Sequence, residues 1–346
     1  MIDRLVDRYG ASYHEAVAQT HTPVDRLNAL AQRTIGPQID ENNFWPLAIA
    51  ELRHLPAEMV QPTVQKANDY AHTWIEPLQK LHPELNISEA EFMVTVGACL
   101  TPTLRYYQPQ LSRSRLTDLL TKMLLAAYEF PDVLTQPIPD AHDHDDTVRD
   151  ETGSAGWTTP IKRASARERI LALALPLMRQ HGFSGIGMDD IGAAVGMTGP
   201  GLYRHFKSKE DILYSALARV NEQLTMSMNR SLLHARSPAD ALERLVDSYL
   251  DLTISDTDLS AVYWTEKHAL SDEKRGLIDR GARNYVDDWI TVVTQVRTDR
   301  SDAEARTMTY GALGLMNGYW QGRVTLEPDR ARIILRAMVM SALFKA

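Results

Sequence analysis

The sequence predicts an all-α fold, and three observations carry that expectation. Apolar residues recur at three- and four-residue spacings, as in Ile170, Leu173, Ala174 and Leu177, and again in Leu242, Leu245, Val246 and Tyr249. Runs that alternate apolar and polar residues, the mark of half-buried strands, are absent. Start and stop residues fall where the helical rhythm begins and ends: Ser165 with Glu168 opens one stripe as a capping box, and Gly182 closes it.

At 346 residues the chain exceeds the roughly 100–200 of a single domain, so two or more cores are expected. Its hydrophobic fraction of 44% suffices to fill them. Cys99 is the single cysteine, which excludes a disulfide framework or a cysteine zinc site and fits a reducing cytoplasm. The opening MIDRLVDRYG is charged and has no apolar segment, so no signal peptide is expected. No run approaches the ~18 apolar residues of a membrane span, so no membrane partner is expected either. The net charge of −8, taken whole, argues against a polyanion as partner. Its distribution argues otherwise, because Lys and Arg outnumber Asp and Glu between Ile161 and Ile212 while the remainder is acidic.

Along the chain, residues 131–160 (PDVLTQPIPDAHDHDDTVRDETGSAGWTTP) read as an acidic, Pro/Gly-rich linker. His142, Asp143, His144, Asp145 and Asp146 lie within it; ligands on such a segment lack the fixed geometry that affinity needs, so no metal is expected. The blocks on either side resemble each other. PVDRL at 23–27 matches PADAL at 238–242, a separation of 215, and Leu30/Leu245, Glu51/Glu266, Tyr70/Tyr285 and Trp74/Trp289 keep that separation. It reads as 213 where SEAE at 88–91 meets SDAE at 301–304 and YYQ at 106–108 meets YWQ at 319–321. It is 215 again at Arg115/Arg330 and Met123/Met338.

Residues 1–130 and 214–346 therefore read as two copies of one helical domain. Met1 falls opposite Ala216, so the first copy is expected to lack the head that precedes the second. Helices at about 88–107 and 113–129 correspond to those at about 301–320 and 328–344. Small residues at Gly97, Ala98, Ala126 and Ala127, and at Gly311, Ala312, Gly314 and Ala342, predict that these helices pack within one chain as a pseudo-twofold dimer.

Residues 161–213 form the head. A helix from Ser165 to about Gly182 is followed by a short one at about 188–195, a tight turn at Gly196-Met197-Thr198, and another short helix at about 199–206. Ser208 with Asp211 then caps the next long helix. This is the helix-turn-helix arrangement, whose second helix enters the DNA major groove. Gly187 at the first short helix's cap position costs a few tenths of a kcal/mol, and Gly192 inside that helix costs up to ~1 kcal/mol. No nucleophile elbow, P-loop or dinucleotide fingerprint occurs, so no enzyme and no cofactor are expected.

The spacing of Gly182, Phe183, Ile191, Gly196, Thr198, Leu202, Tyr203, His205, Phe206, Ser208 and Lys209 resembles the head of the TetR family of transcriptional regulators. The paired helical blocks, and the stretch GPGLYR at 199–204, resemble the tandem double-TetR regulators of actinobacteria, of the type that represses mammalian-cell-entry (Mce) lipid-transport operons. The resemblance implies a double-stranded DNA operator and a small-molecule effector as partners. It implies that Thr198, Tyr203, His205 and Lys209 donate to phosphates, with Lys162 and Arg163 able to add phosphate or minor-groove contacts. Arg204 carries the guanidinium fork suited to a base edge, and Gly199, Pro200 and Gly201 leave the backbone free to approach the groove. Leu202 and Phe206 are expected in the core.

The resemblance further implies a ligand site in the second block. Adaptable methionines and aromatics suit an apolar effector, which makes Tyr249, Tyr263, Trp264, Tyr285, Trp289, Met308 and Met316 the candidates, with lipid- or steroid-like molecules suggested by analogy. Differences between the copies, Trp45 opposite Ser260 and Leu52 opposite Lys267, are further clues. The expected function is thus a ligand-responsive repressor in the cytoplasm, able to self-associate further. The alternative is a helical ligand-binding or partner protein whose helix-turn-helix is vestigial.

Overall fold

The computed structural model describes residues 20–41, 57–130, 165–321 and 326–346, all of whose regular elements are helices. Met1, Trp45, Leu52, the linker with His142–Asp146, and Lys162 and Arg163 lie outside the described residues. Before the head come α1 (Pro23–Asp40), α2 (Ala57–Leu81), α3 (Ile87–Ala98), a 3₁₀ segment (Pro102–Tyr106) and α4 (Arg113–Tyr128). The head holds α5 (Ala166–His181), α6 (Met188–Val195) and α7 (Gly199–Tyr203). After it follow α8 (Lys209–Leu233), α9 (Pro238–Ser255), α10 (Thr257–Glu266), α11 (Asp272–Val296), α12 (Asp302–Gln321) and α13 (Pro328–Lys345). None of the described helices is long and apolar enough to cross a membrane.

These helices divide into two compact units. The first holds α1–α4, α9, α12, α13 and the parts of α8 and α11 that adjoin α9 and α12. Its helix limits repeat. Pro23–Asp40 and Pro238–Ser255, and likewise Ala57–Leu81 and Asp272–Val296, begin and end 215 residues apart. The starts of α3 and α12, and of α4 and α13, keep the same separation of 215. Shared start signals explain the coincidence: proline stands first in both α1 and α9, where its missing N–H costs nothing.

The apparent slip to 213 is a misalignment. Asn86 and Glu89 form a two-way capping box at the start of α3, with bonds of 3.0 and 2.9 Å. Ser301 and Glu304, 215 residues on, form the same box at the start of α12. The match of SEAE to SDAE shifted the pairing by two residues away from these caps. The two stretches also differ. The helix expected at about 88–107 ends at Ala98 and resumes as a 3₁₀ turn at Pro102, whereas α12 runs unbroken to Gln321. Pro102, which has no N–H to give, stands where α12 has Asn317.

Within this unit α3 packs on α12 and α4 on α13, around Leu119, Leu120, Met123, Ile334, Leu335 and Met338, all buried. Two ion pairs cross the packing. Arg115 meets Glu304 at 2.9 Å and Arg330 meets Glu89 at 2.5 Å, the two carboxylates being nearly inaccessible. Each partner of one pair lies 215 residues from its counterpart in the other. The Ser301 N–H, then its hydroxyl and Arg115, hold Glu304 below the usual carboxylate range against the opposing effect of burial. A second pair of contacts keeps the separation of 215: His82 Nε2 lies 2.6 Å from the Tyr128 carbonyl, and Arg297 donates to the Leu343 carbonyl at 2.7 Å. Cys99 is buried, and burial pushes its thiol up to about 12.

The second unit joins the head to the first part of α8, to α10 and to α11 as far as Tyr285. Its core holds Ile170, Ala174, Met178, Ile191, Leu202, Phe206, Ile212 and Leu213. Polar ties lock α10 and α11 behind the head. The Phe183 N–H donates to Glu266 at 2.9 Å, Arg179 pairs with Asp258 at 2.8 Å, and Lys274 pairs with Asp211 at 2.6 Å. Asn221 of α8 accepts from the Tyr263 hydroxyl at 3.0 Å and donates to the Ile278 carbonyl at 2.9 Å.

Candidate nucleic-acid interface

The head is assembled from its caps inward. Ser165 Oγ accepts the Glu168 N–H at 3.3 Å, as expected of an N-cap. The Glu168 carboxylate does not complete the capping box expected from the sequence; it grips Arg219 of α8 at 2.6 and 2.7 Å. That pairing holds Glu168 below the usual carboxylate range. At the next helix Gly187 supplies no side chain, and Asp190 compensates by accepting the Gly187 N–H at 2.7 Å.

Gly196 makes the turn between α6 and α7 with φ of +70°, a left-handed conformation that glycine adopts freely. Met197 then donates to the Gly192 carbonyl at 2.9 Å. A Cβ on Gly192 would stand 3.1 Å from the Met197 carbonyl, so this glycine admits the tight turn as well as weakening the helix.

The expected recognition helix at 199–206 is shorter, α7 ending at Tyr203. Beyond it the His205 and Phe206 N–H groups both donate to the Leu202 carbonyl, at 3.0 and 3.1 Å, and Phe206 turns into the core beside buried Leu202. Arg167 of α5 fixes this exit. Its guanidinium lies 4.1 Å over the Phe206 ring and donates to the His205 carbonyl at 3.1 Å and to Ser215 Oγ at 2.8 Å.

Around α7 the head exposes polar side chains. Thr198, Tyr203, Arg204 and His205 are exposed, Tyr203 at 52% despite its large ring, and Pro200 is exposed between the less accessible Gly199 and Gly201. Among the described residues, the side chains of Tyr203, Arg204 and His205 have no hydrogen-bond or ion-pair partner. Lys209 is engaged within the head. Its ammonium donates to the carbonyls of Phe183 and Ile186 and sits 4.3 Å over the Phe183 ring, and burial lowers its pKa. Two of its three donors are thereby spent on the loop before α6. Lys207, which the sequence reading did not single out, is exposed and unpaired among the described residues. Lys207 and Lys209 lie two residues apart, and the motif that includes Lys209 carries no signal of which of the two faces water.

Tyr249, Trp289, Met308 and Met316 are buried in the first unit, where the Tyr249 hydroxyl donates to Asn317 at 3.1 Å and the Tyr249 and Trp289 rings meet edge to face at 6.2 Å. Tyr263, Trp264 and Tyr285 fall in the second unit. Tyr263 and Trp264 meet edge to face at 5.7 Å there.

Residues 170–216 match the family model of bacterial regulatory proteins of the tetR family, and residues 235–321 match that of the tetracyclin repressor-like C-terminal domain. The HTH-type transcriptional regulator CymR of Pseudomonas putida is 22% identical over 151 residues, 42% of this chain and 74% of its own. The HTH-type transcriptional repressor KstR2 of Mycolicibacterium smegmatis is 29% identical over 114 residues, 33% of this chain and 56% of its own. A TetR-family transcriptional regulator from Bordetella parapertussis 12822, of solved structure, is 22% identical with a TM-score of 0.46, covering 50% of this chain and 94% of its own.

Proposed function

We propose that this chain, which carries the DNA-binding and C-terminal domains of TetR-family regulators, represses transcription by holding an operator and releases it when a small effector binds. The observation that carries the reading is the set of exposed polar side chains at the end of α7, Tyr203, Arg204, His205 and Lys207, which have no partner among the described residues while Leu202 and Phe206 beside them are buried. A vestigial head has no need to keep so many exposed donors without partners of their own. In this reading Thr198, Tyr203, His205 and Lys207 donate to phosphates and fix register, Arg204 reads a base edge, and Gly199, Pro200 and Gly201 let α7 come close. Lys209 acts behind the surface by holding the 183–186 loop. Lys162 and Arg163 add contacts from the segment before α5.

The effector is a small apolar molecule taken up in the C-terminal domain near Tyr249, Trp289, Met308 and Met316. It tilts α8, which continues from the head's exit, and its higher affinity for the tilted arrangement drives release. The two helical copies act as an internal pseudo-twofold dimer, in the manner of tandem double-TetR regulators. Support comes from the reciprocal pairs Arg115–Glu304 and Arg330–Glu89, since a two-fold interface exchanges each contact for its mirror.

Selection of bound fragments from random duplex DNA by the full chain tests the reading. One motif should emerge. In Arg204→Ala, preference at one position should relax by ~1–3 kcal/mol. In Lys207→Ala, affinity should fall alike for all sequences and the slope of log K against log salt should flatten by ~0.9. Retention of no motif by the unaltered chain would favour the ligand-carrier alternative.

A further inference from the structure

We infer that Asp189 is a specificity-determining residue that reads a cytosine amino group beside α7; this rests on the head's binding of DNA. Two aspartates open α6, and the structure separates their tasks. Asp190 spends its carboxylate on the Gly187 N–H. Asp189 is exposed, and among the described residues its carboxylate has no hydrogen-bond or ion-pair partner. Its Oδ1 lies 4.0 Å from the point where a Cβ on Gly199 would sit. It therefore flanks the first residue of α7, at the end of a recognition helix whose opening residues contact base edges. Gly199 has no side chain to cover it, so the start of α6 offers Asp189 beside the start of α7, the helix that Arg204 follows.

A carboxylate there has few acceptable neighbours. Phosphates repel it. Guanine offers its N7 and O6 acceptors, and thymine an acceptor and a methyl group. Adenine offers one amino donor, with the N7 acceptor beside it to repel the second carboxylate oxygen. Cytosine N4 presents a donor alone. Asp189 thus favours cytosine at one position and disfavours DNA that lacks it, while Arg204 supplies the matching preference for an acceptor-rich base.

The test repeats the random-duplex selection with the full chain, Asp189→Ala and Asp189→Asn, alongside their thermal midpoints. The unaltered chain should enrich cytosine at one position of its motif. Asp189→Ala should lose preference there by on the order of tenfold, keep the rest of the motif, and bind scrambled duplex more tightly. Asp189→Asn should move the preference at that position to adenine, whose N6 and N7 fit an amide. An acid that merely favours the start of α6 would lower the midpoint and leave all three proteins enriching the same bases, which overturns the inference but not DNA binding. Failure of every protein to enrich any motif overturns both.

Discussion

Gly314→Val should lower the thermal stability of the chain by about 3 kcal/mol, near the upper end of what overpacking usually costs. At Gly314 a Cβ would lie 2.3 Å from the Cys99 carbonyl oxygen, and at Gly318 one would lie 2.9 Å from Val96 Cα. Both obstacles are backbone, so no rotamer change relieves them, and α12 must move away from the end of α3. That movement also strains the Thr103 hydroxyl bond to the Tyr310 carbonyl, 2.7 Å long and buried. Gly276 provides the control. Its nearest neighbour is the tip of Arg280 at 3.9 Å, so Gly276→Ala inside α11 should stabilise by ~0.5–1 kcal/mol through helix propensity. Calorimetry of the three proteins separates these outcomes, and an unchanged midpoint in Gly314→Val would mean that α3 and α12 do not approach as described.

Lys209→Met should weaken DNA binding by destabilising the head rather than by removing a phosphate contact. The ammonium satisfies the carbonyls of Phe183 and Ile186, and methionine can bond neither. Leaving such acceptors short of a donor in a half-buried place costs ~1–3 kcal/mol. The head should then melt earlier, and apparent affinity should fall with its salt slope unchanged. A phosphate-binding lysine would instead flatten the slope by ~0.9 on removal. Titrations of Lys207→Ala and Lys209→Met across salt concentrations therefore distinguish a phosphate contact from an internal clamp.

These two sites mark where the sequence was legible and where it was not. The helix rhythm, the Ser165 cap and the turn at Gly196 were readable because each depends on neighbours a few residues away. The separation of 215 was readable at Pro23/Pro238 and Arg115/Arg330 for a like reason, since both stretches keep the same local starts. It slipped at 88–91 because identical letters outweighed the Asn86 and Ser301 caps, which differ in type but act alike.

Long-range choices were hidden. Glu168 fits a capping box by spacing, yet Arg219, distant in sequence, takes its carboxylate at 2.6 Å. Arg167 reads as an ordinary surface residue until Phe206 and the His205 carbonyl are placed beside it. Lys209 matches a family motif, but its direction is set by the 183–186 loop. The pairing of α10 and α11 with the head left no local signal, because it rests on Glu266, Asp258 and Lys274 meeting groups up to 83 residues away.

The most direct test is an equilibrium competition at ~150 mM salt between the selected duplex and a scrambled one of equal length. The full chain should prefer the selected duplex by ~10³-fold or more, as specific DNA-binding proteins do, and Arg204→Ala should lose about tenfold or more of that ratio. A ratio near one for the unaltered chain, with its head shown folded by calorimetry, would contradict a DNA-reading function.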